Sequence, residues 1–352
     1  MTSTKIIPPC MKEIQVIKLG DNFRKVTKIA EVPVPSPGPR QVLIKVTYLS
    51  VSIADVLYTL GQHTPGVQPP FPAGLEGMGE IVAVGRGSTK KVGDAVAFFV
   101  HGAFREFVVV HDFTLVPTPN CTDPAYLVFP VSAITASAAL EKKGALQRGE
   151  SVLVTAAAGA VGHVAVQMAK MAGCHVIGTC SSDDKAAYLR SIGCDRPINY
   201  NKESLDFVLK KEYPKGVNVV LESVGGEMFD ICLKNIAFFG RVVAIGSTTA
   251  YFQQNGDHSK QARSPKTDVV SELIQKSADL NSLNMVYYKT EIPKYIKETM
   301  TMYGTGKLKV TTDVGQKSEN GPFRGLEALY DAMDYMLSKK STGKVVVSML
   351  DS

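Results

Sequence analysis

Short runs in which apolar and polar positions alternate fill the first third of the chain: EIQVIKL (13–19), VTKIAEVPVP (26–35), QVLIKVTYLSVS (41–52), GEIVAVG (79–85), DAVAFFV (94–100) and FREFVVV (104–110). Gly, Pro and Asp separate them. A period of two broken by turn formers predicts strands, and so many at this spacing predict a barrel-like or sandwich-like β unit. After Glu150 the period changes. SVLVTA (151–156) reads as a buried strand, and Val161, Val164, Ala165, Met168 and Ala172 then recur at helical spacing up to Gly173. HVIGTC, VNVVLES and GRVVAIG continue as strands, with DDKAAYLRSI and GEMFDICLKNI as helices between them. Strands alternating with helices of about ten residues predict a doubly wound parallel sheet, hence an α/β chain with a β-rich first part. GLEALYDAMDYMLS (325–338) adds an amphipathic helix and GKVVVSM (343–349) a last strand. The long irregular stretch 247–268 is a loop of the kind that often carries function.

Composition narrows the picture. With 352 residues, 45% of them hydrophobic, the chain has material for two cored domains. Its 39 Lys plus Arg stand against 33 Asp plus Glu with no long basic run, which argues against nucleic acid as a partner. Cys10, Cys121, Cys174, Cys180, Cys194 and Cys232 form no C-x-x-C pair and no zinc-type pattern with histidine, as in reduced thiols of an intracellular protein. AYLVFPVSAITASAAL (125–140), the longest apolar run, is interrupted by Pro130, and the N-terminus lacks the apolar core of a signal peptide. No membrane partner is expected, and cytosol is the expected location. His63, His101, His111, His163, His175 and His258 fall in no triad or ligand pattern and read as structural or exposed.

The chemical signal is VTAAAGAVG (154–162), which follows a strand and opens a helix. Gly159 and Gly162 lack a Cβ, so a pyrophosphate can approach the backbone and the amides at the helix N-terminus. Ala158 and Val161 belong to the same turn, and alanine replaces the first glycine of the usual fingerprint. At the end of the second strand, where an NAD enzyme places an acid on the ribose, stand Cys180 and Ser181. Ser181, Ser182 and Lys185 offer the hydroxyls and cation that a 2′-phosphate needs, so NADP is expected over NAD. Asp183 and Asp184 argue the other way. They also fit a plain role, with Ser181 and Asp184 as a capping box and first-turn acids on the helix dipole.

Together, the all-β start, GLEGMGEIVAVG, TAAAGAVG and the closing GKVVV resemble the medium-chain dehydrogenase/reductase superfamily over nearly the whole chain. CHVIGTCSSDDKAAYLRSIGCDRPINY and VVLESVGGEMFD resemble its zinc-independent quinone and prostaglandin reductase branch. The resemblance implies a GroES-like catalytic domain over 1–129 and 306–352, a Rossmann domain over 130–305, and a homodimer. Zinc-dependent members carry C-x-x-D, G-H-E and a later cysteine. Here Ser52 stands in SIAD, Leu75 in GLE, and no cysteine lies between Cys121 and the fingerprint, so no metal is expected. Glu76 reads either as a polar group beside the site or, more plainly, as a carboxylate capping the glycine-rich turn.

Without zinc, hydride delivery to an electron-poor double bond is the accessible chemistry, with hydrogen-bond donors on the enolate oxygen. Tyr58, beside Ser52 and Asp55, is the first candidate donor. Tyr288, Tyr287 and Tyr251 are others, and each also fits a half-buried strand aromatic. By position in the family, Tyr200 packs near the 2′-phosphate and Gly246 under the dinucleotide. Met285 and Val286 pass beside the nicotinamide, as do Ser341 and Gly343, although relatives tend to carry asparagine at Ser341. Three functions stay open: an NADPH-dependent reductase of lipid-like enones such as 15-oxo-prostaglandins, an NADPH quinone oxidoreductase, and a non-enzymatic NADPH-binding protein. The family likeness also leaves the peroxisome as an alternative location.

Overall fold

The computed structural model describes residues 7–62, 64, 66–249 and 267–350. Tyr251, His63, His258 and most of the long loop lie outside the described residues. The chain divides into two compact units, Met1–Pro130 with Thr312–Ser352, and Val131–Thr311.

In chain order the first unit contributes β1 (Cys10–Val16), β2 (Thr27–Pro33), β3 (Gln41–Ser50), β4 (Phe71–Pro72), β5 (Glu76–Val84), β6 (Ala95–Phe99), β7 (Phe107–His111) and β8 (Val116–Pro117). The second holds β9 (Ser151–Val154), β10 (His175–Cys180), β11 (Arg196–Asn199), β12 (Val217–Glu222), β13 (Ile236–Ala244) and β14 (Asp279–Ser282). The chain then returns to the first unit for β15 (Thr312–Asp313) and β16 (Lys344–Ser348).

In the first unit the order β15-β16-β3-β5-β6-β8, with β7 also on β3, makes the GroES-like curled sheet, and β2-β1-β4 form a small second sheet. Alternation along β3 sends Val42, Ile44 and Val46 into one core with Ile14, Phe98, Phe104 and the helix residues Leu329 and Met333. Fully burying each such side chain stabilises by roughly 1.5–3 kcal/mol. Antiparallel pairing sets Ser50 opposite Glu76 on β5 and opposite Val346 on β16. That register brings residues far apart in the chain to one place.

The second unit is a Rossmann domain. Its six strands run parallel in the order β11-β10-β9-β12-β13-β14, and helices such as Gly162–Met171, Asp183–Ser191 and Gly226–Lys234 connect them. Strand order reverses between β9 and β12, and in such sheets ligands bind beyond the carboxyl ends of the strands at this point. The fingerprint turn leaves β9 there. Pro124–Gly144, a run of 3₁₀, α and π turns, is long and apolar enough to cross a membrane by length and composition. Most of its most apolar window, 67%, is buried inside the protein, as in a core helix.

Candidate functional site

The turn after β9 is set by backbone bonds. The Ala156 and Ala157 amides donate to the Thr179 hydroxyl and carbonyl at 3.0 and 2.9 Å, and Ala156 adopts a left-handed φ of 47°. A Cβ on Gly162 would lie 2.5 Å from the Ala156 carbonyl oxygen and 2.7 Å from the Ala157 Cα, so helix and turn pack there only because the side chain is missing. Gly159 differs. A Cβ there would meet only the Ala156 oxygen, at 3.2 Å, and its φ is not left-handed. A Cβ at Gly159 therefore asks only a small yield of that one oxygen, far less than at Gly162. Ala158 and Val161 line the same turn, and the helix beginning at Gly162, which has no side-chain cap, turns its positive dipole end toward it. These residues fit a dinucleotide.

At the end of β10, Lys185 Nζ donates to Ser181 Oγ at 3.4 Å, the Tyr200 hydroxyl hydrogen-bonds Ser181, and burial raises the Tyr200 pKa. Asp183 accepts from Asn199 Nδ2 at 2.8 Å and Lys202 Nζ at 2.5 Å, and these partners lower its pKa. Asp183, one of the two acids that argued for NAD, is thus engaged by Asn199 and Lys202, while Ser181, Lys185 and Tyr200 are joined by hydrogen bonds. The helix cap is one residue later than the sequence reading placed it: Ser182, not Ser181, accepts the Lys185 amide at 3.3 Å. Ser181 is consequently left out of the cap. Gly246 follows β13, where a Cβ would sit 3.3 Å from the Ser223 oxygen. Met285 and Val286 lie in a single 3₁₀ turn, Met285–Tyr287, and the half-buried Tyr288 donates its amide to the Met285 carbonyl at 3.0 Å.

In the first unit, Ser52 caps the short helix Ile53–Thr59, its amide and hydroxyl both donating to Asp55 Oδ2 at 2.7 and 3.0 Å. Asp55 is 1% exposed and its Oδ1 has no partner among the described residues. Burial pushes this carboxyl up to about 7, against the Ser52 groups and Lys344, which pull it down, and with Glu76, which pushes the same way. A pKa higher in the folded than in the unfolded chain favours the protonated native form. Its contribution to stability is full below about pH 4 and is lost as pH rises through about 7. At most about 4 kcal/mol is at stake. The melting temperature of Asp55→Asn, which keeps an acceptor for Ser52 and carries no charge, should therefore gain on that of the parent between about pH 5 and about pH 8. Parallel curves would refute the raised acid.

Tyr58, on the same helix, is 4% exposed, stacks on His101 with centroids 4.7 Å apart and planes at 12°, and leans on Phe71 at 5.1 Å. Burial raises its pKa and keeps the phenol protonated, while its hydroxyl has no hydrogen-bond partner among the described residues. Arg105 is ion-paired with Glu13 at 2.9 Å and modulates that pKa.

Glu76 corrects the simpler sequence reading. It does not cap the glycine-rich turn: its Oε2 takes the Lys344 ammonium and, at 3.0 Å, the Ser50 hydroxyl, and all of this is buried. Sequence reasoning missed Lys344, because only the β16-β3-β5 register brings residues 268 positions apart together. Ser341 and the buried Gly343 (φ 75°) precede β16, where the Thr342 amide donates to Asp313 at 3.0 Å. The donor set does not suit zinc: Ser52 is committed to Asp55, Leu75 is aliphatic, and Glu76 is neutralised by Lys344.

Comparison with known proteins agrees with the fold. Residues 38–120 match the alcohol dehydrogenase GroES-like domain and residues 160–299 the family described as zinc-binding dehydrogenase. The chain is 42% identical to prostaglandin reductase-3 of Mus musculus over 346 residues, 97% of this chain and 90% of that protein. It is 31% identical to quinone oxidoreductase-like protein 2 of Mus musculus, covering 94% of this chain and 91% of the other. Among solved structures, a quinone oxidoreductase of Pseudomonas syringae superposes with a TM-score of 0.79 at 26% identity, over 96% of this chain and all of that one. A mycobacterial protein complexed with NADPH superposes at 0.81 with 24% identity, over 96% and 100%. The chain belongs to the medium-chain dehydrogenase/reductase superfamily and is an oxidoreductase related to the prostaglandin and quinone reductases.

Proposed function

We propose that the protein reduces the carbon–carbon double bond of α,β-unsaturated ketones and aldehydes, with 15-oxo-prostaglandin-like lipid enones as the substrate class. The observation that carries this reading is Tyr58: a buried phenol, kept protonated, whose hydroxyl has no hydrogen-bond partner among the described residues. Beside it, the positions of zinc ligands hold Ser52 and Leu75. Ala158, Gly159, Val161 and Gly162 would hold the pyrophosphate, and Ser181, Ser182, Lys185 and Tyr200 the 2′-phosphate. Gly246, Met285, Val286, Ser341 and Gly343 would flank the rest of the dinucleotide. When bound, the reduced cofactor supplies a hydride to the β-carbon. Tyr58 then hydrogen-bonds the carbonyl oxygen where charge gathers, a donor already oriented by its stack on His101, and a proton from solvent adds at the α-carbon to complete the reduction. Ser52, anchored by Asp55, and Tyr288 are the further polar groups assigned to substrate.

The test follows NADPH oxidation with a 15-oxo-prostaglandin, a trans-2-alkenal and a quinone in parallel, for the parent and Tyr58→Phe. Enone turnover should fall roughly tenfold to a hundredfold in kcat with the phenylalanine, with unchanged melting temperature, because the lost hydroxyl has no partner among the described residues. Turnover of the quinone alone would replace this reading with quinone reduction, and tight NADPH binding without any turnover would replace it with a binding protein. The same reading includes a homodimer paired through β14, the outer strand of its sheet, and a cytosolic location.

A further inference from the structure

At one end of the first unit's sheet, β3 begins where β5 and β7 end, with Val42 opposite Val84 and Gln41 opposite His111. The segments just beyond these strands carry Arg40, Arg86, Lys90 and Lys91, and they are tied into one surface. The Arg40 amide donates to the Arg86 carbonyl at 2.9 Å, the Asp112 amide to the Arg40 carbonyl at 3.0 Å, and the Thr89 amide to Asp112 Oδ2 at 3.2 Å. Of the acids at this end, Asp112 is buried, 2% exposed beneath the loop, and pairs with Arg40 at 3.6 Å. Asp94 is half-buried and occupied by the Lys91 amide at 2.8 Å. The outer face is therefore cationic. Two large apolar side chains project from the same end, Phe113 at 72% exposure, its ring 5.4 Å from that of His111, and Val92 at 61%.

We propose that this basic end, with Phe113 and Val92 at its tip, docks reversibly on an anionic phospholipid surface. Charge complementarity chooses the partner: Arg86, Lys90 and Lys91, with no ion pair among the described residues, and Arg40, shared with the buried Asp112, match a layer of phosphate headgroups, and an exposed aromatic among them matches the interface beneath. Phe113 and Val92 present only on the order of 200 Å² of apolar surface, a small insertion that suits the interfacial layer of a bilayer. The contact lies on the surface and spans nothing. It adds a membrane partner that the sequence reading did not expect, and it does not depend on which substrate is reduced.

The full chain, with NADPH, is to be sedimented with phosphatidylcholine vesicles and with vesicles containing about 30% phosphatidylserine, at low and at near-physiological salt. Co-sedimentation with the anionic vesicles alone, weakened by salt, is expected. The double variant Lys90→Glu with Lys91→Glu should lower the partition coefficient roughly 25-fold or more, since each cation contributes about fivefold. Phe113→Ser should lower it several-fold with the salt dependence intact. Melting temperatures equal to the parent's check that both variants fold. The proposal is overturned by no binding at low salt, by equal binding to neutral vesicles, or by indifference to charge reversal. Self-association or RNA binding that needs Phe113 or the lysines, without vesicle binding, overturns it as well.

Discussion

Replacing Lys344 with methionine should cost about 3–5 kcal/mol of stability, read on the unfolding transition of the unit that contains it. Lys344 is the first residue of β16, and its ammonium reaches across β3 to Glu76 at the start of β5; the two side chains are 2% and 5% exposed. Removing the cation leaves a carboxylate whose Oε2 keeps only the Ser50 hydroxyl and whose Oε1 already lacks a partner among the described residues. Leaving a charge uncompensated in the interior costs far more than a surface pair contributes. The double variant Lys344→Met with Glu76→Leu should recover most of the loss, because two apolar side chains of similar size need no compensation there. Denaturant unfolding of the parent and three variants completes the cycle. A single variant within about 1 kcal/mol of the parent would show that the pair does not hold the strands together.

That pair marks the limit of what the chain reveals on inspection. Alternation located the strands of the first unit, and along β3 it sorts Val42, Ile44 and Val46 to one core and Leu43 to another, with only Lys45 of that stretch exposed. The fingerprint was readable because its signal is local, a strand, a glycine turn and a helix in succession. Pro124–Gly144 was not, since small apolar residues around Pro130 present no period and the run mixes 3₁₀, α and π turns. Two adjacent serines hid which one caps the helix after β10, and only the geometry assigns that role to Ser182 and releases Ser181 toward Lys185 and Tyr200. Ser52 and Asp55 show the converse. Their spacing was a readable cap, yet it was read for chemistry, and the structure shows the cap and a buried, partly unsatisfied acid at once.

The two glycines of the fingerprint should separate binding from folding. Gly159→Leu should weaken NADPH about a thousandfold, equivalent to about 4 kcal/mol, while leaving the melting temperature near that of the parent. Only the Ala156 oxygen, at 3.2 Å, stands near its Cβ position, so the protein accommodates a side chain there, and that side chain fills the space a pyrophosphate needs. Gly162→Ala should act in the opposite sense. Its Cβ would press on the Ala156 oxygen at 2.5 Å and on the Ala157 Cα at 2.7 Å, both backbone atoms in a turn held by Thr179. Relief requires the helix to move off the sheet, a strain of roughly 1–3 kcal/mol that appears as lost stability before it appears as lost affinity. Calorimetric titration with NADPH and thermal unfolding on both variants distinguish the roles. Equal effects on both readouts for both variants would mean that Gly159, like Gly162, serves packing, and the dinucleotide would then have to approach the turn elsewhere.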